Sequence, residues 1–131
     1  MDFAKREITT FAKEHENEDT TRLLLSAARY PAIDMPAAVQ QIEGLRAAKE
    51  KWPSLLQSDG FLYPPRLNRE QASSEATAEW KSIRITKRSS GRVADLTGGM
   101  GIDTLAFARQ AEEVDYVERD ANLCTLMEHN L

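Results

Sequence analysis

The sequence has little cysteine and no long apolar run, and both features limit what the protein can be. Cys124 is the only cysteine among 131 residues, so an internal disulfide is impossible. No apolar run approaches the roughly 20 residues that cross a bilayer, and the N-terminal MDFAKREITT lacks the apolar core of a secretory signal. These features predict a cytoplasmic protein without a membrane partner.

Aromatic residues are also few, at 7%, but the hydrophobic content of 41% and the charged content of 29% are those of a globular protein. The length allows one domain, or one small domain and part of another. Residues 61–92 carry 7 basic and 3 acidic side chains, whereas residues 93–131 carry 2 and 8. The basic segment could meet an anionic partner, and the acidic one disfavours ligands rich in phosphate.

The first 57 residues have the pattern of a small helical domain. A helix is predicted over 2–14 with Asp2 as its N-cap, and a second from Asp19 or Thr20 to Tyr30. Asp34 starts a third, which ends at Pro53 and has Pro36 in its first turn. We therefore expect an orthogonal helical bundle over 1–57.

Residues 58–92 are predicted to form a connector and a basic helix. Proline and glycine make 53–68 irregular, and Asn68 then starts a helix over about 69–87. Its predicted core stripe consists of Ala72, Ala76, Trp80 and Ile83, and Ser89, Ser90 and Gly91 end it. Trp52, near the end of the third helix, is likewise predicted to lie in the core.

The segment 93–131 is organised around a glycine-rich turn. A short buried strand, 93–96, leads through Gly98, Gly99 and Gly101 into a helix that ends near Gln110. A second strand, 114–118, and a helix over 122–130 follow, which gives the strand–helix–strand–helix order of a parallel sheet. The fold class is therefore α/β, mostly helical in this chain, with the first half of a Rossmann-like sheet. Two strands do not form a self-sufficient sheet, so we expect 93–131 to be a truncated domain.

The glycine turn should bring several backbone N–H groups towards one ligand, either a dinucleotide or S-adenosyl-L-methionine. The dinucleotide fingerprint requires a third glycine, where this chain has Thr104. Asp95 and Asp103 would also repel a pyrophosphate, whereas they suit the ammonium and sulfonium of S-adenosyl-L-methionine. Glu118, at the end of the second strand, can accept hydrogen bonds from both ribose hydroxyls.

These residues resemble two motifs of the class I S-adenosylmethionine-dependent methyltransferases. The segment DLTGGMG at 95–101 is similar to their glycine-rich motif D-x-G-x-G-x-G, with Thr97 in place of the first glycine. The segment VERD at 117–120 is similar to the end of their second strand. Both segments look most like the corresponding motifs of RNA guanine-N2 methyltransferases. The segment SSEATA at 73–78 resembles a bacterial group that has a helical N-terminal domain, a methyltransferase domain and a C-terminal THUMP-like domain.

The resemblance implies S-adenosyl-L-methionine as the cofactor and RNA, either tRNA or rRNA, as the substrate. It implies that Glu118 holds the ribose and that five residues line the methionine side of the cofactor: Asp95, Thr97, Gly98, Gly99 and Gly101. It also places the catalytic motif beyond Leu131, so the chain is expected to be an N-terminal fragment that binds cofactor weakly or not at all.

Several residues have simpler interpretations beside the functional ones. The cations Lys81, Arg84, Lys87, Arg88 and Arg92 could steer RNA, but they are also favourable at a helix C-terminus. Ser73, Ser74 and Thr77 could contact the cofactor or only cap a helix, and Asp103 suits a first helical turn. His15, His129 and Cys124 lack suitably spaced partners, so neither a metal site nor a cysteine nucleophile is expected.

Two other functions stay open for the sequence alone. One is a non-enzymatic module that binds RNA or a protein and keeps a vestigial cofactor fold. The other is a nucleotide-binding oxidoreductase, which Asp95 and Asp103 disfavour. The oligomeric state is not specified by any pattern in the sequence.

Overall fold

Short helices separated by capped turns form the first part of the chain. The computed structural model describes residues 3–88 and 91–131, and it describes side chains from Lys5 onwards. The predicted cap Asp2 and the predicted helix stop at Ser89 and Ser90 lie outside these residues. The chain folds as two units, of which the first runs to Arg69 and includes Asn130, and the second consists of Glu70–His129 with Leu131.

The first three α-helices lie in the first unit: α1 (Phe3–Glu14), α2 (Thr20–Leu25) and α3 (Met35–Lys51). Asp19 caps α2 through its side chain, and the Asp34 carboxylate accepts a hydrogen bond from the Ala37 N–H at 3.1 Å. The predicted start of α3 is thus confirmed, and Pro36 lies in its first turn. The predicted second helix is interrupted, because Ser26 ends α2 and a separate 3-10 helix spans Ala27–Arg29.

α1 and α2 both pack on α3. The core between them consists of Phe11, Ala12, Leu23, Met35, Ala38, Val39 and Ile42. Trp52 is buried, as predicted, directly before a 3-10 helix, Pro53–Gln57. The irregular segment beyond it is held to α3 by Gln41, whose side chain accepts from the Tyr63 N–H at 3.0 Å and donates to the Tyr63 carbonyl at 3.1 Å.

The predicted continuous helix over 69–87 is wrong. The structure has two helices, α4 (Arg66–Gln71) and α5 (Glu75–Thr86), and Asn68 lies inside α4 instead of capping it. Ser74 is extended, and its hydroxyl accepts a hydrogen bond from the Thr77 N–H at 3.2 Å. Serine side chains that bond to nearby backbone favour a cap over a helix interior, which explains the break.

The second unit is a parallel strand–helix–strand–helix arrangement. Strands β1 (Arg92–Asp95) and β2 (Glu113–Tyr116) pair in parallel, with Arg92 opposite Glu113 and Asp95 opposite Tyr116. Helix α6 (Ile102–Ala108) connects them, and α7 (Ala121–Asn130) follows β2. The predicted order of elements is therefore confirmed.

Two predictions of burial in this unit are wrong. Within β1 only Asp95 is buried, and Leu96, directly after it, is 73% exposed, so the strand is not a buried one. On α5, the predicted core residues Trp80 and Ile83 are exposed, whereas Ala78 and Ser82 are buried. α5 packs closely on α6. Small residues allow two helices to pack closely. Because small residues contribute little to a hydrophobic pattern, the sequence did not predict this buried stripe.

None of the described helices combines the length and apolarity of a membrane span.

Candidate functional site at the ends of the two strands

Asp95 ends β1 and organises the turn that follows. Its carboxylate is buried, and it accepts hydrogen bonds from the Thr104 hydroxyl at 2.7 Å and from the Thr97 N–H at 3.3 Å. A buried carboxylate needs such donors, because an unpaired charge away from water is costly. The sequence pattern singled out Asp95 but not Thr104, which ties the strand end to α6.

The glycines of the turn have different structural roles. Gly99 and Gly101 have positive φ angles of 52° and 79°, which side chains rarely adopt. A Cβ on Gly98 would overlap the Tyr116 ring, and one on Gly101 would overlap the end of the Met127 side chain. Gly98 and Gly101 therefore let β2 and α7 approach the turn, whereas a Cβ on Gly99 would only come within 3.7 Å of the Thr97 carbonyl oxygen.

Tyr116 fixes the turn and was not recognised in the sequence as a site residue. Its hydroxyl donates to the Gly99 carbonyl at 2.6 Å, and its ring lies against Gly98. Burial, with a further contribution from the Glu118 charge, raises the Tyr116 pKa far above its usual value, so the hydroxyl keeps its proton. No local signal in the sequence identifies Tyr116, because its hydroxyl bonds to a residue 17 positions away.

Glu118 lies beside the glycine turn, as predicted, but it is not the last residue of the strand, because β2 ends at Tyr116. One carboxylate oxygen accepts from the Gly99 N–H at 2.9 Å and the other from the Asp120 N–H at 2.9 Å. These backbone donors, that of Asp120 first, hold the pKa of Glu118 below its ordinary value. A carboxylate has about four acceptor positions, so Glu118 keeps acceptor capacity for a ligand.

The backbone N–H groups of the turn are largely used within the protein, contrary to our expectation. Thr97 donates to Asp95 and Gly99 donates to Glu118. The Gly98 N–H donates to the Val117 carbonyl at 2.9 Å and the Gly101 N–H to the Gly98 carbonyl at 2.8 Å. A phosphate-binding turn needs such donors for its ligand, so this geometry disfavours the dinucleotide alternative.

A second polar cluster joins the start of α5 to the first turn of α6. The Lys81 ammonium lies 3.1 Å from the Asp103 carboxylate and 2.8 Å from the Ser73 hydroxyl, and Ser73 donates to Asp103 at 3.1 Å. Asp103 thus has protein partners, while Ser74 and Thr77 form the N-cap of α5.

The predicted basic cluster is divided among several roles. Lys81 pairs with Asp103, and Arg92 makes a bidentate pair with Asp115 at 2.7 and 3.0 Å. Arg84 lies over the Trp80 ring, 4.4 Å from its centroid, and Lys87 and Arg88 are exposed. The cationic surface of α5 is therefore smaller than the sequence suggests.

The remaining candidate residues, His15 and Cys124, contact other residues of the protein. His15 stacks on Phe11 and bonds to Glu18 at 2.7 Å, and the Cys124 thiol contacts the Glu118 carbonyl oxygen at 3.3 Å. Within residues 3–88 and 91–131, no group of three or more His, Cys, Asp or Glu side chains is arranged to hold a metal ion.

The chain is similar to one solved structure over almost all of its length. No protein-family model matches the chain, and comparison with curated proteins gave no significant match. The solved structure is described as a putative methyltransferase from Porphyromonas gingivalis W83, with 33% sequence identity and a TM-score of 0.79. The match covers 96% of this chain but 31% of that one, so the chain spans about a third of the length of its structural neighbour. The fold is accordingly methyltransferase-like.

Proposed function

We propose that the chain is the N-terminal part of an S-adenosylmethionine-dependent methyltransferase. One observation carries the proposal: the Glu118 carboxylate is held next to the glycine turn, across the ends of two adjacent parallel strands. Ligands of open parallel sheets bind at this edge. The similarity to a structure described as a methyltransferase supports the same assignment. Residues 1–57 would be a helical domain, 58–92 a connector with a basic helix, and 93–131 the first half of the cofactor domain.

The residues at this edge fit S-adenosyl-L-methionine better than a phosphate compound. The turn uses its N–H groups internally, and Asp95 and Glu118 give the site negative charge. Both features suit a ligand that carries an ammonium and a sulfonium. Glu118 would accept hydrogen bonds from the ribose hydroxyls, and Gly99, which has no side chain, would lie on the methionine side. Asp95, Thr97, Gly98 and Gly101 would shape that side.

S-adenosyl-L-methionine would supply a methyl group on a sulfonium, which a nucleophile can attack directly. The part played by this chain is to position the donor, since positioning lowers the barrier without a covalent step on the protein. Thr104 and Tyr116 contribute indirectly, because they fix Asp95 and Gly99. The catalytic residues are expected beyond Leu131.

RNA, either tRNA or rRNA, is the acceptor that we propose. The support is the similarity of segments 95–101 and 117–120 to RNA methyltransferases, together with the exposed cations at the end of α5. The alternative, a non-enzymatic module, predicts that the protein binds RNA or another protein but not the cofactor. Cofactor binding therefore distinguishes the two proposals.

Cofactor binding can be tested by equilibrium dialysis with labelled S-adenosyl-L-methionine, on this chain and on the complete protein. We expect weak binding to the chain and stronger binding to the complete protein. Glu118→Gln should lower the affinity about tenfold or more, because it weakens hydrogen bonds to a charged acceptor. Glu112→Gln is the matched control, since Glu112 is exposed and lies before β2.

Unchanged affinity of Glu118→Gln would remove Glu118 from the site. A complete protein that binds no S-adenosyl-L-methionine, and transfers no label from it to RNA, would contradict the proposed function.

A further inference from the structure

One strip of helix α5 combines an exposed aromatic ring with three cations. We call four residues at helical spacing the α5 strip: Trp80 and Arg84 within α5, and Lys87 and Arg88 directly after it. Trp80 is 58% exposed, although the Arg84 guanidinium lies over one face of its ring at 4.4 Å. Arg84, Lys87 and Arg88 are all exposed.

Packing within the second unit does not explain the exposed tryptophan. α5 packs on α6, and its buried residues, Ala78 and Ser82, lie on one side of the helix. The strip lies on the other side of the helix, where a tryptophan contributes little to the core. The two cations that do support the fold, Lys81 and Arg92, have acidic partners and are not part of the strip.

The chemistry of the strip matches that of a single-stranded nucleic acid. A tryptophan ring stacks on any base, and a stacked guanidinium extends the planar surface on which a base can lie. Cations one and two turns further along the helix can then contact the phosphates of the same strand. Double-stranded RNA is a poorer match, because its bases are already stacked and its major groove is too narrow for a side chain.

We propose that the α5 strip binds single-stranded RNA, with a base stacked on Trp80 and phosphates against Arg84, Lys87 and Arg88. The choice of RNA over another nucleic acid rests on the proposed function. The binding surface itself contains no residue of the cofactor site, so RNA binding and cofactor binding can fail independently.

The test is fluorescence anisotropy of a labelled single-stranded RNA of mixed sequence, titrated with the chain at several salt concentrations. Trp80→Ala should weaken binding about tenfold, which lies within the range for loss of one stacked base. Trp80→Phe should retain most of the affinity, since a smaller ring still stacks. Circular dichroism of each variant shows whether the helices are intact.

The charge contribution is tested separately. Arg84→Gln, Lys87→Gln and Arg88→Gln together should reduce the slope of log affinity against log salt by about 2, as expected for three phosphate contacts on a single strand. Replacing three exposed arginines of the first unit, Arg6, Arg22 and Arg29, by glutamine removes the same net charge and is the matched control.

The wild-type chain provides a second readout that needs no variant. Trp52 is buried, so a base stacking on Trp80 should quench the exposed part of the tryptophan emission. The proposal is overturned if Trp80→Ala binds RNA as the wild type does, or if both triple variants change the salt slope equally. It is also overturned if RNA leaves the emission unchanged, or if polyglutamate binds as tightly as RNA and is equally weakened by Trp80→Ala. If the protein binds the cofactor but not RNA, only the proposed role of the α5 strip is refuted. If it binds RNA but not the cofactor, the proposed function is refuted.

Discussion

Gly98 and Gly101 are glycines because neighbouring side chains occupy the space where a Cβ would lie. The Tyr116 ring fills that space at Gly98, and the Met127 side chain fills it at Gly101. A sequence pattern assigns such glycines to a ligand, because the motif is known from its ligand-binding use. In this chain the immediate neighbours of both glycines are side chains of the protein itself.

Replacing Gly98 tests this explanation at a single residue. Gly98→Ala should destabilise the chain by about 1–3 kcal/mol, because its Cβ would overlap the Tyr116 ring and the packed turn must shift. Gly91→Ala is the matched control, since nothing lies within 4 Å of its added Cβ. We expect the control to change stability by about 0.5 kcal/mol or less. Urea unfolding followed by circular dichroism measures both, and equal effects would contradict the packing explanation.

Glu118 gives the second unit a defined dependence on pH. The backbone donors of Asp120 and Gly99 lower its pKa in the folded state below the ordinary value of 4.5. The carboxylate therefore stabilises the fold above that value, and this contribution is lost as the pH falls through the folded pKa. Glu118→Gln lacks a carboxylate at this position, so its stability should fall less than that of the wild type between pH 6 and acid pH.

Urea midpoints of both proteins across this range provide the measurement. Other carboxylates, such as Asp115 beside Arg92, contribute equally to both proteins and cancel in the comparison. Parallel curves for the two proteins would contradict the assigned hydrogen bonds.

Among the secondary-structure elements, α5 differs most from its prediction. The predicted core stripe ran through Ala72, Ala76, Trp80 and Ile83, but the structure buries Ala78 and Ser82 instead. The difference has a physical reason, since a helix that approaches its neighbour closely does so through small residues, which carry almost no hydrophobic signal. The caps at Asp19 and Asp34 were easier to identify, because each acts on the backbone within three residues.

Two leucine substitutions on α5 distinguish the predicted stripe from the observed one. Ala78→Leu should destabilise the chain by about 1–3 kcal/mol, because Ala78 is buried where α5 packs on α6. Ala76→Leu should have an effect of about 0.5 kcal/mol or less, because Ala76 is exposed. Both variants carry the same substitution on the same helix, so a difference between their thermal unfolding temperatures reports the effect of position alone. A larger destabilisation by Ala76→Leu than by Ala78→Leu would support the predicted stripe over the observed one.

Across the whole molecule, the order of the elements was predictable, whereas the details of the site were only partly so. Asp95 and Glu118 could be identified because strand ends and turn glycines leave a local pattern. Tyr116 and Thr104 could not, since their hydrogen bonds join residues 17 and 9 positions away that only the fold brings together. The distribution of charge overstated the basic surface, because Lys81 and Arg92 are paired with acidic residues.

The placement of the two tryptophans has a practical consequence for studies of this chain. Trp52 belongs to the first unit and is 1% exposed, while Trp80 belongs to the second and is 58% exposed beside a guanidinium. Each unit thus contains its own tryptophan, one buried and one in contact with water. Their emission differs in wavelength and in access to a dissolved quencher, so the unfolding of each half can be followed separately in a single unlabelled sample.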